Sequence, residues 1–509
     1  MSSTVVLTGE SLTLQDVRNV ARRGYRVEIA PEAKGQINEC AKAVQDWTRD
    51  GRVVYGITTG FGDLASVAIP KDKINQLQEN LLLSHACGLG EPYPEDVVRA
   101  IMLLRINTLV RGFSGISLET LQQMVDYLNL SIHPVVPSQG SVGASGDLCP
   151  LSHIAITLIG YGEVMYKGKR MPVAEALAAV GMKPVTLKPK EGLALNNGTT
   201  VMNAVAALCV IDGMTLVKNA DIAAAMSVEA LHAVPYAFDK RTHDLRPQVG
   251  QGVVAENMRR LIEGSEIVET YKKDRVQDAY SLRCLPQVHG TSRDALNYVR
   301  EKIEIEINSV TDNPIIFRED GEAISGGNFH GQPLAMAMDF FGIAVAEYAS
   351  IAERRIARTV DPRFSDLPPF LVNESGTNSG FMITQYTTAA LASENKVLAH
   401  PSVVDSIPTS ANQEDHVSMG GYSARKARQI LDNTNKVIAI EMLGAAQGMD
   451  FRAPLKYGRG SDAAYREFRR HVPFYDKDQF MQPFILKSLE LVENGAMVRA
   501  VEAEIGELK

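Results

Sequence analysis

Apolar positions along the chain recur mostly at the helical period. Ile37, Ala41, Val44 and Trp47 are spaced to share one helix face, and Leu77 to Leu83 reads as a second helix that Ser84-His85-Ala86-Cys87-Gly88 brings to an end. From Thr200 to about Thr270, Ala, Leu, Val and Met repeat at helical spacing with few prolines, as in long bundle helices. Leu334 to Ile351 reads as the most apolar stretch; Asp339 and Glu347 interrupt it, so it predicts a buried helix, not a membrane span. Gln277, Tyr280 and Arg283 fall at intervals of three, along one face of a helix that Pro286 terminates. Period-two patterning is rarer. Val5 to Leu7 predicts a short strand, and Glu163 to Arg170 a small hairpin. Ile303, Ile305 and Ile307 alternate with Glu304 and Glu306, which taken locally is a strand. Pro368-Pro369 marks a loop, and beyond Leu455 the pattern gives loops and a C-terminal amphipathic helix. Pattern alone therefore gives a large, mainly helical protein.

Composition narrows the class. The 509 residues correspond to about three domains by length alone, although large helical enzymes share one core. With 45% apolar and 22% charged residues the chain is globular, and a net charge of -8 gives no support for a nucleic-acid or anionic-membrane partner. The five cysteines, Cys40, Cys87, Cys149, Cys209 and Cys284, are scattered without a Cys-x-x-Cys pair. They predict free thiols in a reducing cytoplasm, with no metal site. Met1 to Thr8 lacks a basic segment followed by a long apolar one, so no secretory signal is expected.

The chemistry gathers in one loop, Pro137 to Leu148. Its glycines, Gly140, Gly143 and Gly146, adopt backbone angles closed to other residues, which suits a tight surface turn. Ala144-Ser145-Gly146 opens a second reading. In a strained bend the Gly146 amide nitrogen can attack the Ala144 carbonyl, and glycine at the attacking position makes that bend accessible. Loss of water from the new ring and from the Ser145 side chain would leave a methylidene-imidazolone (MIO), an electrophile that no standard side chain supplies. Asp147 is placed to N-cap a helix through Leu148, Cys149, Pro150 and Ile154. The positive end of that helix would face the ring.

Pro137 to Leu148 resembles the signature of the aromatic amino acid ammonia-lyase family, and further blocks resemble it in order from Tyr55 to Met419. The resemblance implies a MIO formed autocatalytically from Ala144-Ser145-Gly146, with no external cofactor. It implies a mainly α fold of the ammonia-lyase and fumarase-like architecture: a smaller N-terminal MIO-bearing domain with minor β content over residues 1–200, then a long central helical bundle and C-terminal helical region over 201–509. It also implies a homotetramer with active sites shared between chains, the amino-acid substrate being the only other partner. Val53 to Gly62 matches the loop whose tyrosine, Tyr55, closes over the substrate and transfers protons. Ser84-His85 and Glu414 match the histidine type, so the implied reaction is elimination of ammonia from L-histidine to trans-urocanate, a carbon–nitrogen lyase of histidine degradation. Asn197 and Tyr280 would line the ring, Arg283 would clamp the substrate carboxylate, and Gln277, Phe329 and Met382 complete the implied substrate-binding set. The same resemblance implies that Ile303 to Ile307 is helical, with Asp312-Asn313-Pro314 as its stop. Tyr55 and Glu414 are both candidates for handling the β-proton; Glu414 alternatively orients the imidazole together with His85.

Thr58, Asn196 and Leu285 depart from the usual histidine pattern. They leave as the nearest alternative a lyase or 2,3-aminomutase acting on tyrosine or another aromatic amino acid. A catalytically silent helical scaffold is the alternative from another class; intact Ala144-Ser145-Gly146, Tyr55 and Arg283 argue against it.

Overall fold

A computed structural model describes residues 3–64 and 66–509. The chain divides into two compact units. The first runs up to Ile211 and takes in Arg300–Asp339 and Pro401–Arg425; the second comprises Asp212–Val299, Phe340–His400 and Lys426–Lys509. The first unit is thus discontinuous, reclaiming two segments from the half expected to begin at residue 201.

The first unit opens with Thr4–Leu7 paired in parallel to Arg26–Ile29. The helix Leu14–Arg23 joins them, held at its start by a reciprocal Thr13–Asp16 capping box and stopped by Gly24 in the left-handed region. The helix Pro31–Asp50 buries Ala33, Ile37, Cys40, Ala41 and Val44, so the apolar spacing places its inner face as expected. Cys40 and Val44 pack with Val54, Ile57 and Ile316, and Trp47 closes this cluster from its partly buried edge. The Glu163–Tyr166 and Lys169–Pro172 strands form the expected hairpin, extended by Ile132–Pro134 into a three-stranded antiparallel sheet. Lys167 and Gly168 turn it with positive φ at both positions, the geometry that matches strand twist.

Buried polar groups fix the helices around the site. The short helix Glu191–Asn196 is held at its start by the Glu191 carboxylate, which accepts from the backbone N–H of Ser117 (2.8 Å) and Lys188 (2.7 Å). Near its other end the Arg105 Nε donates to the Ala194 carbonyl at 3.1 Å. Lys190 and Asp312 form an ion pair at 2.7 Å with both side chains fully buried.

Four helices exceed twenty residues: Thr200–Ala230, Leu285–Glu306, Gln332–Val360 and Gly420–Asp450. The most apolar of them is Thr200–Ala230, with a mean hydropathy of 1.8 against 1.4 for Gln332–Val360, which corrects the ranking read from sequence. Both are long and apolar enough to cross a membrane, yet 78% and 67% of their apolar windows are buried within the protein. Two further expectations are corrected. Pro286 lies in the first turn of Leu285–Glu306 instead of ending a helix, because the first turn has no use for the missing N–H. Gln277 lies outside the four-residue helix Tyr280–Arg283. The Ile303–Ile307 alternation is helical, as the resemblance implied: Ile303 and Ile307 are buried four residues apart while Ile305 is 58% exposed. That helix ends at Glu306, ahead of Asp312-Asn313-Pro314.

Within the second unit a buried ion pair ties Gln332–Val360 to Gly420–Asp450. Arg355 Nη2 donates to Glu441 at 2.9 Å, both side chains are essentially inaccessible, and the Ser227 hydroxyl donates to the same carboxylate at 2.8 Å. Removing one member of such a pair strands the other charge, at a cost of about 3–5 kcal/mol. Glu441→Ala is therefore expected to lower the unfolding free energy by about that amount, read as a denaturant midpoint at lower concentration, and Glu441→Gln, which retains an acceptor, by less. Wild-type midpoints for both variants would contradict a structural role for the pair.

Candidate functional site

In the first unit, a cavity of about 520 Å³ is lined by Tyr55, His85, Ser145, Leu193, Asn197 and Glu414, among others. Five of the expected residues thus converge although they are spread from position 55 to position 414. A smaller cavity of about 260 Å³ adds Ala144, Gly146, Ser141 and Thr409 to the surroundings of His85 and Glu414.

Ala144-Ser145-Gly146 is gripped through its backbone. The Gly198 N–H donates to the Ser145 carbonyl at 3.2 Å, and the Gly198 carbonyl accepts from the Asp147 N–H at 2.7 Å. Gly146 has φ +73°, and a Cβ there would lie 2.1 Å from the Gly198 carbonyl oxygen; only glycine permits this approach. On the other flank Ser418 Oγ donates to the Gly143 carbonyl at 3.1 Å, and the Met419 N–H to that of Val142 at 2.9 Å.

Asp147 differs from its expected role. It is the residue before the helix Leu148–Leu158, but its side chain makes no capping bond there. Its carboxylate turns to the start of Thr200–Ala230, accepting from the N–H groups of Val201 at 3.0 Å and Met202 at 2.8 Å and from Ser141 Oγ at 2.9 Å. It caps a helix distant in sequence. Burial pushes its carboxyl up to about 6, against the lowering effect of these same hydrogen bonds.

Glu414, Tyr55 and His85 each have a defined anchor. Ser145 Oγ donates to Glu414 Oε1 at 3.2 Å, and Thr409 Oγ1 donates to Glu414 Oε2 at 2.6 Å. The Tyr55 phenolic oxygen accepts from the Gly62 N–H at 3.1 Å. The helix Ile74–His85 runs further than the apolar pattern indicated, placing His85 in its last turn with Nδ1 3.0 Å from Ser84 Oγ. Burial pushes the His85 imidazole below its ordinary value, with Glu414 opposing. Asn197 follows the helix Glu191–Asn196 in extended conformation, and its Oδ1 is buried without a hydrogen-bond partner. An unpartnered amide oxygen beside the tripeptide fits a polar group formed there.

The other expected residues are not among the lining of this cavity. Phe329 is half-buried in the first unit and is not among its lining. Gln277, Tyr280, Arg283 and Met382 belong to the second unit. There Tyr280 is 71% exposed with the Arg283 guanidinium 4.7 Å from its ring centre, and Arg283 Nε is buried without a partner. Tyr280 lines a cavity of about 400 Å³ with Arg354, Arg358, Asp361 and Phe364.

The departures from the histidine pattern have local roles. Thr58 is buried, with Oγ1 accepting from the Val54 N–H at 2.9 Å and donating to the Arg52 carbonyl at 2.8 Å. Asn196 donates to Ser152 at 3.1 Å, joining the Glu191–Asn196 and Leu148–Leu158 helices. Leu285 is fully buried at the start of its helix. None of the three lines the 520 Å³ cavity. Gly198 and Thr409 went unrecognised in sequence. The Asn197-Gly198 pair was the one local sign of the first; Thr409, five residues before Glu414, carried none.

Comparison with known proteins agrees with this geometry. Residues 12–470 match the aromatic amino acid lyase family. A histidine ammonia-lyase of Alkaliphilus oremlandii is 54% identical over 501 residues, spanning 98% of this chain and 99% of that protein. One from Symbiobacterium thermophilum is 53% identical with the same coverage. Among solved structures, histidine ammonia-lyase from Trypanosoma cruzi superposes with a TM-score of 0.92 at 40% identity, covering 99% of this chain and 96% of that one. Tyrosine aminomutase from Streptomyces globisporus gives 0.95 at 38% identity, covering 99% and 100%. A family match over most of the chain, joined to a glycine-gripped Ala-Ser-Gly loop facing a carboxylate, a tyrosine and a histidine, places this protein in the aromatic amino acid lyase family.

Proposed function

We propose that the protein eliminates ammonia from L-histidine to give trans-urocanate, using an MIO made from Ala144-Ser145-Gly146. The observation that carries this reading is the meeting of His85, Glu414 and Ser145 on one cavity, two groups able to hydrogen-bond an imidazole beside the tripeptide. The relatives named histidine ammonia-lyase support the substrate. The residues present fit the prosthetic group: Gly146 and Gly198 remove the side chains that would block a tight bend, and the unpartnered Asn197 Oδ1 offers a polar contact. Once formed, the ring supplies an electrophilic alkene that assists departure of the amino group.

The chain's own groups do the rest. With its pKa lowered, His85 is neutral near pH 7 and hydrogen-bonds an imidazole substrate without repelling it. Glu414, held by Thr409, presents a carboxylate oxygen to the same space, for the imidazole N–H or for the β-proton. Tyr55, fixed by Gly62, is the second proton-transfer group. Asn197 contacts the modified loop from the other side. We assign the substrate carboxylate to Arg283, with Gln277, Tyr280, Phe329 and Met382 completing the pocket from other copies of the chain in a homotetramer. The exposed Tyr280 and unpartnered Arg283 Nε support this assignment. Burial of both long apolar helices within the protein suits a cytoplasmic enzyme.

The likeness to tyrosine aminomutase keeps a second reading in view, a lyase or 2,3-aminomutase acting on tyrosine. Incubation with a panel of amino acids separates the two. Histidine should release ammonia and a conjugated acid absorbing in the near ultraviolet, whereas a β-amino acid from tyrosine would overturn the histidine assignment. Glu414→Gln should lower histidine turnover by about 100- to 10,000-fold, the usual range for a lost acid–base group, with helical content unchanged.

Maturation gives a readout independent of turnover. The wild-type peptide spanning residues 144–146 should be lighter than its sequence mass by two waters. Gly198→Ala should leave it unmodified, because a methyl group there would meet the Thr311 carbonyl at 2.4 Å and push Gly198 off the loop. Ser145→Ala, which folds without needing the ring, is the control. Normal dehydration in Gly198→Ala would show that the grip is not required.

The shared-site assignment is tested by complementation. Tyr55 and Ser145 line one cavity of one chain, so the pair that tests sharing is Ser145 with Arg283: Arg283→Ala and Ser145→Ala proteins should each be nearly inactive, and co-expression should recover a sizeable part of wild-type activity in verified mixed tetramers. Mixed tetramers no more active than the single variants would place Arg283 and Ser145 in one chain's site.

A further inference from the structure

Two cysteines that the reaction does not use lie against the reactive loop. Cys149, in the first turn of Leu148–Leu158, is 6% exposed, while Cys87 is exposed in the segment that follows His85. A Cβ on Gly140 would lie 2.7 Å from the Cys149 sulfur and 3.4 Å from the Gly88 Cα, so Cys149 and the residue next to Cys87 flank the same point of the loop. Both cysteines line the 260 Å³ cavity together with Ser141, Ala144, Gly146, His85 and Glu414. The segment carrying Cys87 is pinned: the Gly88 N–H donates to His153 Nε2 at 2.9 Å and the Cys87 N–H to the His85 carbonyl at 2.9 Å. The Cys149 sulfur fills the space a side chain at position 140 would need. One sulfur therefore touches both the loop that becomes the ring and the turn that carries His85.

We propose that Cys87 and Cys149 are a disulfide-forming modification site through which peroxide switches off the neighbouring active site. Peroxide takes two electrons from the exposed Cys87 thiolate, giving a sulfenic acid and releasing water or hydroxide. The Cys149 sulfur then attacks the Cys87 sulfur, forming the S–S bond and expelling a second water. Burial pushes the Cys149 thiol up to about 11, which slows its own reaction with peroxide and leaves the exposed Cys87 to react first; in the second step the Cys149 proton leaves with the Cys87 hydroxyl as water. Closing the bond replaces a thiol contact by a covalent one and draws the 86–88 segment toward Cys149. That moves His85 relative to Ser145, and a displacement near 1 Å at a reacting centre costs on the order of 100-fold in rate.

The loss of turnover rests on the histidine-lyase reading; the cross-link does not. Purified full-length enzyme is treated with hydrogen peroxide, then divided between peptide mapping without reduction and a histidine turnover assay. A Cys87–Cys149 linked peptide pair, turnover reduced about tenfold or more, and recovery with dithiothreitol are the expected results. Cys149→Ala should keep its turnover before treatment, form no linked pair and lose less activity at the same peroxide dose. An enzyme that turns over histidine but yields no linked pair overturns the site, as does a linked pair with turnover unchanged. A linked pair in a protein inactive on histidine before treatment overturns the lyase reading and leaves the cross-link standing.

Discussion

The site depends on one buried carboxylate serving two parts of the fold. A helix of 31 residues begins at Thr200 with N–H groups that have no partner inside the helix, and Asp147 satisfies two of them. The same residue's own N–H is bound by the Gly198 carbonyl, two residues before that helix. Loop and helix start are therefore locked in both directions, side chain to backbone and backbone to backbone. A Cβ on Gly146 would meet the Gly198 carbonyl oxygen at 2.1 Å and one on Gly198 the Thr311 carbonyl oxygen at 2.4 Å, so neither position tolerates a side chain. A long apolar helix thus supplies the rigidity that a loop of small residues lacks.

Rigidity on the Asn197 side has another origin. The six-residue helix before it is too short to be stable alone. It stands because Glu191 takes up N–H groups at its start and Arg105 holds the Ala194 carbonyl. Arg105 is fully buried, and burial lowers its guanidinium to about 10, still well above neutral pH, so it remains a charged donor. The Lys190–Asp312 pair sits at the same junction. Buried charge here fixes the backbone from which Asn197 projects, at a cost that a loop free to move would not incur.

These arrangements mark where sequence reasoning runs out. Helices such as Pro31–Asp50 and Leu285–Glu306 were legible, the first from its apolar spacing and the second only once the resemblance overrode a period-two signal. Ile303 and Ile307 share a face by helical geometry, whereas Ile305 is exposed, a distinction that alternation alone cannot make. The central loop was legible because its chemistry is local. Asp147 was half legible: it precedes a helix, so local reasoning gave it that helix to cap, but the helix it caps starts 53 residues later, and no periodicity reports such a bond. Ser145 and Glu414 are 269 residues apart, and only the family resemblance brought them into one list.

The segment carrying Glu414 explains how a carboxylate on a loop is kept in place. Ser410, Ala411 and Asn412 all have positive φ, at 49°, 52° and 70°, in a region that costs non-glycine residues about 1–2 kcal/mol each. The turn persists because Thr409 and Glu414 close it, exchanging backbone bonds at 3.0 and 3.2 Å and adding the side-chain bond from Thr409 Oγ1. Glu414 is therefore both the closure of a strained turn and the group facing Ser145. A carboxylate held this way gives up conformational freedom during folding instead of at the moment of reaction, which is the general advantage of a preorganised site. The arrangement also separates two roles of one residue: its backbone and one oxygen hold the turn, leaving the other oxygen to accept from Ser145 Oγ in the cavity.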